Sequence, residues 1–292
     1  MAMISTKYYN HQHSRPIDLD RDGCDLNDWS KLFGKALFAK HHKGFLVFLP
    51  PHKLEASDEY KKSDPYTVEV NKDSDFHNRR IDSTLEMIRE AVKQIQDSPR
   101  ILDLGSGQGH ITARIQRAYP HGDISALDYS ISAIEYAVDH FPKIDFVVGD
   151  AYEPPFAANY FDIVVCNNLW EHVPDPLFLL RKISRILKPS GFLIISTPSR
   201  YRLQNLVRVI RGQPVTLMSK YHVTEYSVGQ VIEQLSYQGF KVTRCFSKPL
   251  KSSSFKAKVA EMVLSLCISL TGSHHQLEST VFYLAQRIDK KA

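Results

Sequence analysis

The ten residues from Ile101 to His110 constrain this 292-residue chain more than any other segment. They read Ile-Leu-Asp-Leu-Gly-Ser-Gly-Gln-Gly-His. This is the pattern of an apolar strand followed by a turn with glycine at every second position. Glycine tolerates positive φ angles and lets the backbone approach a ligand closely. The helix expected after the turn offers free N–H groups to that ligand. The segment therefore predicts a strand–turn–helix unit that binds a nucleoside-bearing cofactor.

Strands and helices alternate along the rest of the chain, which is typical of α/β proteins. Apolar runs such as Ile163–Val165 indicate strands covered on both faces. We predict a doubly wound, mostly parallel sheet of seven strands with helices on both sides. The expected strands are 100–104, 123–128, 144–149, 161–167, 191–196, 240–246 and 280–287, and the expected helices are 81–95, 110–118, 131–140, 176–187 and 227–237.

The two ends of the chain depart from this alternation. In residues 1–75 the apolar residues show no regular helical or strand spacing, and polar stretches interrupt them. We therefore interpret this region as an N-terminal extension or cap. Residues 76–292 should form the main domain. Within it the pattern breaks at about 200–226 and 247–278, and we expect insertions over the sheet edge, where substrate loops of open α/β folds lie.

Composition narrows the class of protein. The hydrophobic and charged fractions, 43% and 24%, are ordinary for a globular domain. Residues 1–10 lack the apolar core of a secretion signal, and the apolar-rich stretch 259–270 is too short to span a bilayer. Four scattered cysteines form no Cys-x-x-Cys pair, which favours free thiols in a reducing compartment. We expect a cytoplasmic monomer or homodimer.

Basic residues are concentrated in the last third of the chain. Residues 200–258 contain eleven basic residues and only two acidic ones, Glu225 and Glu233. This bias could attract an anionic substrate, a nucleic acid or a lipid headgroup. The absence of an RNA-reading motif counts against nucleic acid. A helix is expected over 255–270, and we favour a lid packed on the domain over contact with a membrane surface.

The position of the third glycine separates two kinds of cofactor. A dinucleotide fingerprint requires Gly-x-Gly-x-x-Gly, whereas the glycines here are Gly105, Gly107 and Gly109, and His110 stands where the third is needed. This spacing, with Asp103 two residues earlier, resembles the class I S-adenosylmethionine-dependent methyltransferases. The resemblance implies a Rossmann-like fold and S-adenosyl-L-methionine as the cofactor.

The resemblance covers roughly residues 80–245 and implies a set of cofactor contacts. Asp128 would accept both ribose hydroxyls, because a carboxylate can take two hydrogen bonds at once. Asp150 with Ala151 would contact the adenine amino group, and Tyr129 would cover the adenine ring. The residues implied around the methionine end of the cofactor are Asp103, Gly105, Ser106, Gly107 and Asn167.

The segment after the fourth strand, 167–176, should lie where the transferable methyl group points. His172 is the leading candidate for a general base there, since an unperturbed histidine titrates near neutrality. Its structural alternative is a histidine that packs and hydrogen-bonds beneath the loop. Glu171 precedes it, and His222 follows in a later segment. We take all three as candidate catalytic residues.

The Glu-His step followed by Val-Pro-Asp-Pro resembles the ubiquinone-pathway O-methyltransferases and their small-molecule relatives. Other relatives, including small-RNA 2′-O-methyltransferases, bind a divalent metal through Glu-x-x-Glu-His plus a later histidine. Asn168 occupies the first glutamate position here, and an amide oxygen is a weaker ligand than a carboxylate. We therefore expect no metal at this site.

The sequence thus predicts an enzyme that transfers a methyl group to a small molecule, with oxygen favoured as the acceptor atom. Arg200, Arg202 and Arg208 would suit an anionic acceptor, because arginine binds carboxylates and phosphates in bidentate fashion. Two alternatives stay open: methylation of RNA or another polyanion, and a non-catalytic binding or assembly subunit with the same fold. The glycine turn with its two later carboxylates argues against the second.

Overall fold

The computed structural model describes residues 4–12, 14–54, 74–247, 262–263, 266, 270, 277 and 279–288. Its first part consists of short elements. They are β1 (Ile4–Asn10), β2 (Arg15–Asp18), β3 (Gly23–Asp25), the single turn α1 (Trp29–Leu32), β4 (Phe38–Lys40), β5 (Leu46–Val47) and the single turn α2 (Pro51–Leu54).

Longer elements alternate from residue 74 onwards, which confirms the α/β class. In chain order they are α3 (Ser74–Val92), β6 (Arg100–Leu104), α4 (His110–Ala118), β7 (Asp123–Asp128), α5 (Ile131–His140), β8 (Asp145–Val148), β9 (Phe161–Asn167), α6 (Pro176–Ile186), β10 (Leu187–Pro198), α7 (Leu203–Ile210), α8 (Val228–Tyr237), β11 (Phe240–Ser247) and β12 (Thr280–Arg287).

Ten strands form one sheet in the order β11-β12-β10-β9-β6-β7-β8-β5-β4-β3. Strands β10, β9, β6, β7 and β8 pair in parallel, whereas β12 is antiparallel to β10 and β11. After β6 the chain adds β7 and β8 on one side, and then β9 and β10 on the other. The strand order therefore reverses between β6 and β9. Open α/β sheets bind ligands at the carboxyl ends of the strands at such a point.

The described part of residues 1–75 adds three strands to the seven that the sequence predicts. Leu46 and Val47 of β5 pair in parallel with β8. The indole N–H of buried Trp29 donates to the Leu49 carbonyl at 2.7 Å, which fixes the chain after β5. Strands of two or three residues are too short to show a recognisable period of their own.

The central strands are buried on both faces, as their apolar runs predict. On β9, Ile163 and Val165 face one core cluster, while Val164 and Cys166 face the other. This alternation follows from the two-residue period of a strand. Helix α3 supplies Met87 and Ile88 to the first cluster, and α6 supplies Leu179 and Ile183 to the second.

The two predicted insertions are described to different extents. Segment 200–226 contains α7 and is described throughout. Of the helix expected over 255–270, only Met262, Val263, Leu266 and Leu270 are described, in helical conformation, and the remainder lies outside the described residues. Within the described part of the chain, no helix has the length and apolarity required to cross a membrane.

Candidate active site

The turn between β6 and α4 adopts a conformation that demands glycine. The φ angles of Gly105, Gly107 and Gly109 are +81°, +53° and +76°, a region that other residues rarely enter. A Cβ on Gly109 would lie 2.8 Å from the ring of Phe146 on β8, so this glycine also lets α4 pack closely on the sheet. The N–H of Gly105 donates to the Leu127 carbonyl at 2.8 Å, which ties the turn to β7.

Asp128 stands at the carboxyl end of β7 and closes the turn. Its Oδ2 accepts the Gly107 N–H at 2.7 Å, and its Oδ1 accepts the Ser130 N–H at 2.9 Å. These two backbone hydrogen bonds orient the carboxylate at the cavity wall, and a carboxylate can accept several hydrogen bonds at once.

A cavity of about 790 Å³ lies along the carboxyl ends of the central strands, and its size suits a cofactor together with a small acceptor. Helix α3 contributes His77, Asn78 and Arg80 to its wall. The nine residues proposed as cofactor contacts all line it: Asp103, Gly105, Ser106, Gly107, Asp128, Tyr129, Asp150, Ala151 and Asn167.

Ser106 Oγ and Asn167 Oδ1 belong to residues that line the cavity, and these buried atoms have no hydrogen-bond partner within the described part of the chain. Buried polar atoms are almost always hydrogen-bonded in folded proteins. The Asn167 amide is held in place through its Nδ2, which donates to Thr84 Oγ1 at 3.1 Å. A ligand with hydrogen-bonding groups would satisfy both atoms, and the amino acid end of S-adenosylmethionine carries such groups.

The cavity wall carries charges of both signs: Asp103, Asp128 and Asp150, and also Arg80, Arg114 and Arg117. Burial raises the pKa of Asp103 to about 6, although a 2.6 Å hydrogen bond from Thr112 and the positive charge of Arg80 oppose the rise. Asp103 is therefore mostly ionised at neutral pH, with Asp128 and Asp150 in the same wall. The Asp103 carboxylate favours a cationic group beside it, and S-adenosylmethionine carries an ammonium and a sulfonium group.

Lys53 is a site residue that the sequence analysis missed. It lies on α2, and its ammonium group forms an ion pair with Asp150 Oδ2 at 2.8 Å. The other oxygen, Oδ1, accepts the Tyr152 N–H at 2.9 Å. The first 75 residues thus reach the edge of the cavity where the adenine ring is expected. No motif marks Lys53, because 97 residues separate the two partners.

On the other side of the cavity, Glu171 forms hydrogen bonds that link separate segments of the chain. Its Oε1 accepts from Asn168 Nδ2 and its Oε2 from Thr197 Oγ1, both at 3.0 Å. Its carbonyl accepts the Val223 N–H at 2.8 Å. Glu171 is buried and does not line the cavity. These contacts join β9, β10 and segment 200–226, which is a structural task.

His172 lines the cavity and contacts His222, whose ring lies edge-on at a centroid distance of 5.0 Å. Burial lowers the pKa of His172, and the neighbouring His222 lowers it further. The imidazole of His172 is therefore neutral at physiological pH and able to accept a proton. His222 lies behind it, with its Nδ1 2.8 Å from Glu225 Oε1.

Glu171, His172 and His222 form a group of potential metal ligands whose ligand atoms lie within 4.8 Å of one another. Carboxylate and imidazole donors suit transition metals. However, the Asn168 amide nitrogen donates to Glu171, and its Oδ1 accepts from Ser196 Oγ at 3.0 Å. Asn168 therefore does not replace the missing glutamate ligand, and a site without metal stays our prediction.

Arg202 is unavailable to an acceptor, contrary to the expectation from sequence. It is 3% exposed and forms an ion pair with Glu225 at 2.5 Å. Its guanidinium also donates to the carbonyls of Ser199 and Thr216. Burial opposes ionisation of Glu225, but hydrogen bonds from His222, the Met218 N–H and Arg202 hold its pKa below the usual range.

Part of the chain is similar to known methyltransferases. Residues 102–195 match the family described as "Methyltransferase domain". Over 121 residues the chain is 31% identical to the malonyl-[acyl-carrier protein] O-methyltransferase of Halalkalibacterium halodurans, covering 39% of this chain and 44% of that protein. Over 94 residues it is 37% identical to the ubiquinone/menaquinone biosynthesis C-methyltransferase UbiE of Desulfotalea psychrophila, covering 32% and 38%.

The chain thus spans less than half the length of these two relatives. Among solved structures, it resembles a chain from the complex that contains the Haloferax volcanii Trm112 methyltransferase activator. The TM-score is 0.53 and the identity 17%, over 78% of this chain and 97% of that chain. At that identity the likeness establishes the fold alone.

Proposed function

We propose that this chain, which belongs to the class I S-adenosylmethionine-dependent methyltransferases, methylates a small molecule at oxygen with His172 as the proton acceptor. The observation that carries the proposal is the position of His172. It lies in the wall of the cavity that also contains the glycine turn, Asp128 and Asp150. One cavity can therefore hold cofactor, acceptor and base together.

The proposed residues divide into two roles. Asp128 and Asp150 would hold the adenosine part, the glycine turn would surround the amino acid end, and Asp103 would pair with the cationic group of that end. When bound, S-adenosylmethionine supplies an electrophilic methyl group for in-line displacement. His172 would take the hydroxyl proton of the acceptor on its neutral imidazole nitrogen, and Glu171 would hold the backbone of His172 in place.

A small molecule fits this cavity better than a polymer does. The cavity has room for the cofactor and a compact acceptor. The related proteins named above are a malonyl-[acyl-carrier protein] O-methyltransferase and a C-methyltransferase of ubiquinone/menaquinone biosynthesis. The second relative is a C-methyltransferase, so the acceptor atom must be tested directly.

The test combines binding with product analysis. Calorimetry should detect uptake of S-adenosylmethionine and of its demethylated product by the purified chain. Incubation with ¹³C-methyl cofactor and a metabolite extract should then place the label in small molecules, and the chemical shift of the new methyl carbon distinguishes oxygen from carbon. Label on carbon would refute the oxygen assignment. No uptake of either nucleoside at millimolar concentration would refute the function.

A further inference from the structure

Segment 200–226 exposes an unusual amount of apolar surface beside the proposed acceptor side of the cavity. Helix α7 ends in Val209 and Ile210, and the Ile210 side chain is 75% exposed. Contiguous exposed apolar surface commonly marks an interaction site in soluble proteins. The large apolar or aromatic side chains that the segment exposes are Tyr201, Val209, Ile210, Leu217, Met218, Tyr221 and Val223.

The charge exposed by the same segment is entirely positive. Arg211 and Lys220 are exposed, and Arg208 is half-buried. The single acidic residue in 200–226 is Glu225, which is 0% exposed and paired with Arg202. The ion pair that fixes the segment thus removes its only negative charge from the surface. The electrostatic potential around the exposed apolar side chains of the segment is therefore positive.

Hydrogen bonds hold the parts of this surface next to one another. Asn205 Nδ2 on α7 donates to the Thr216 carbonyl at 3.0 Å, and Arg208 Nε donates to the Pro214 carbonyl at 2.8 Å. The chain that carries Leu217 and Met218 therefore returns alongside α7. Further on, the Val223 N–H binds the Glu171 carbonyl, so the surface reaches the residue next to His172.

We propose that segment 200–226 docks on an anionic lipid bilayer, with Val209 and Ile210 below the headgroups and the cations against lipid phosphates. Basic residues combined with exposed apolar side chains are the pattern of interfacial membrane binding. Each cation near an anionic surface contributes attraction that salt screens. A soluble polyanion would satisfy the cations but would leave the apolar side chains in water. The proposed docking determines where the protein works. It does not depend on which acceptor the protein methylates.

The test is co-sedimentation of the full chain with vesicles, without cofactor or acceptor. Vesicles with phosphatidylglycerol should pellet the protein, and pure phosphatidylcholine vesicles should not. The double variant Val209→Ser, Ile210→Ser should lower the partition coefficient about tenfold, because less apolar surface enters the interface. The matched control Ile288→Ser removes another exposed apolar side chain and should bind as the wild type does.

A second pair of variants tests the charge. Arg211→Gln with Lys220→Gln should lower the partition coefficient about tenfold at low salt and less at high salt, whereas Lys35→Gln, at another exposed site, should have no effect. Equal binding to both kinds of vesicle, or none to either, overturns the proposal. So does wild-type vesicle binding by the Val209, Ile210 variant. Binding to heparin without binding to vesicles overturns it in favour of a soluble polyanion.

Discussion

The two sides of the cavity are built in different ways. On the cofactor side, Gly105, Gly107, Asp128 and Asp150 follow consecutive strands, and their backbone contacts are local to the sheet edge. On the acceptor side, His172 is positioned by contacts with residues about 50 positions later, in segment 200–226.

This difference explains why the positions at the strand ends follow from the sequence, whereas the contacts that hold His172 do not. Strand ends and a glycine turn place side chains wherever a parallel sheet forms. The acceptor side depends on a buried ion pair and on loop hydrogen bonds, which other chains can replace with different contacts. We expect substitutions on the cofactor side to change binding, and substitutions on the acceptor side to change turnover or stability.

The largest effect should come from His172→Gln. If His172 accepts the proton, kcat should fall about a thousandfold, while the dissociation constant of the cofactor should change by less than about twofold. Steady-state kinetics and calorimetry on the same preparation measure both. His121→Gln, at an exposed histidine, is the control. Equal losses in kcat and in cofactor affinity would assign His172 to a structural role instead.

Arg202→Met should destabilise the acceptor side without removing the cofactor site. It leaves the Glu225 carboxylate buried without its arginine partner, which should cost about 3–5 kcal/mol of unfolding free energy. Urea denaturation measures this loss. Arg211→Met, at an exposed position, should change stability by less than about 0.5 kcal/mol. A similar stability for both variants would contradict the importance of the ion pair.

Asp128→Asn should act on the cofactor side alone. The amide loses the charge and one of the two acceptors proposed for the ribose hydroxyls, so cofactor affinity should fall about a hundredfold. Calorimetry with the demethylated cofactor measures it, and Asp139→Asn on the exposed face of α5 is the control. Unchanged affinity would remove Asp128 from the ribose site.

Cofactor affinity should also depend on pH through Asp103. Its pKa of about 6 lies above the ordinary value, so the free site is protonated below that pH. A cationic ligand requires the carboxylate, and affinity should therefore fall by up to about tenfold per pH unit below 6 and level off above it. Calorimetry from about pH 5 to about pH 7.5 measures the curve. Asp103→Asn should flatten it, and a wild-type curve as flat as that of the variant would contradict the coupling.

The smallest effect is expected from chelation. Although Glu171, His172 and His222 converge, Asn168 does not complete a four-ligand set, so dialysis against EDTA should leave kcat unchanged. Activity that EDTA abolishes and a divalent metal restores would show that the acceptor side is a metal centre.

Much of the fold follows from the sequence because its signals are local. The strand and helix from Arg100 to Ala118 have the predicted bounds, since an apolar run, a glycine turn and a helical period succeed one another without interruption. The three strands that residues 1–75 add to the main sheet, β3, β4 and β5, have two or three residues each, and each is too short to carry a period. Lys53 and Glu225 were missed for a different reason: their partners are defined by tertiary contact rather than by spacing.

The sequence by itself determined the parallel sheet, the glycine turn and the order of the carboxylates along its edge, because these depend on residue periodicity and backbone conformation. Only the tertiary structure decided which charges remain available. It buries Arg202 against Glu225, pairs Lys53 with Asp150 and places His222 against His172. The physical reason is that desolvation and ion pairing depend on neighbours in space, and a linear sequence does not specify those neighbours.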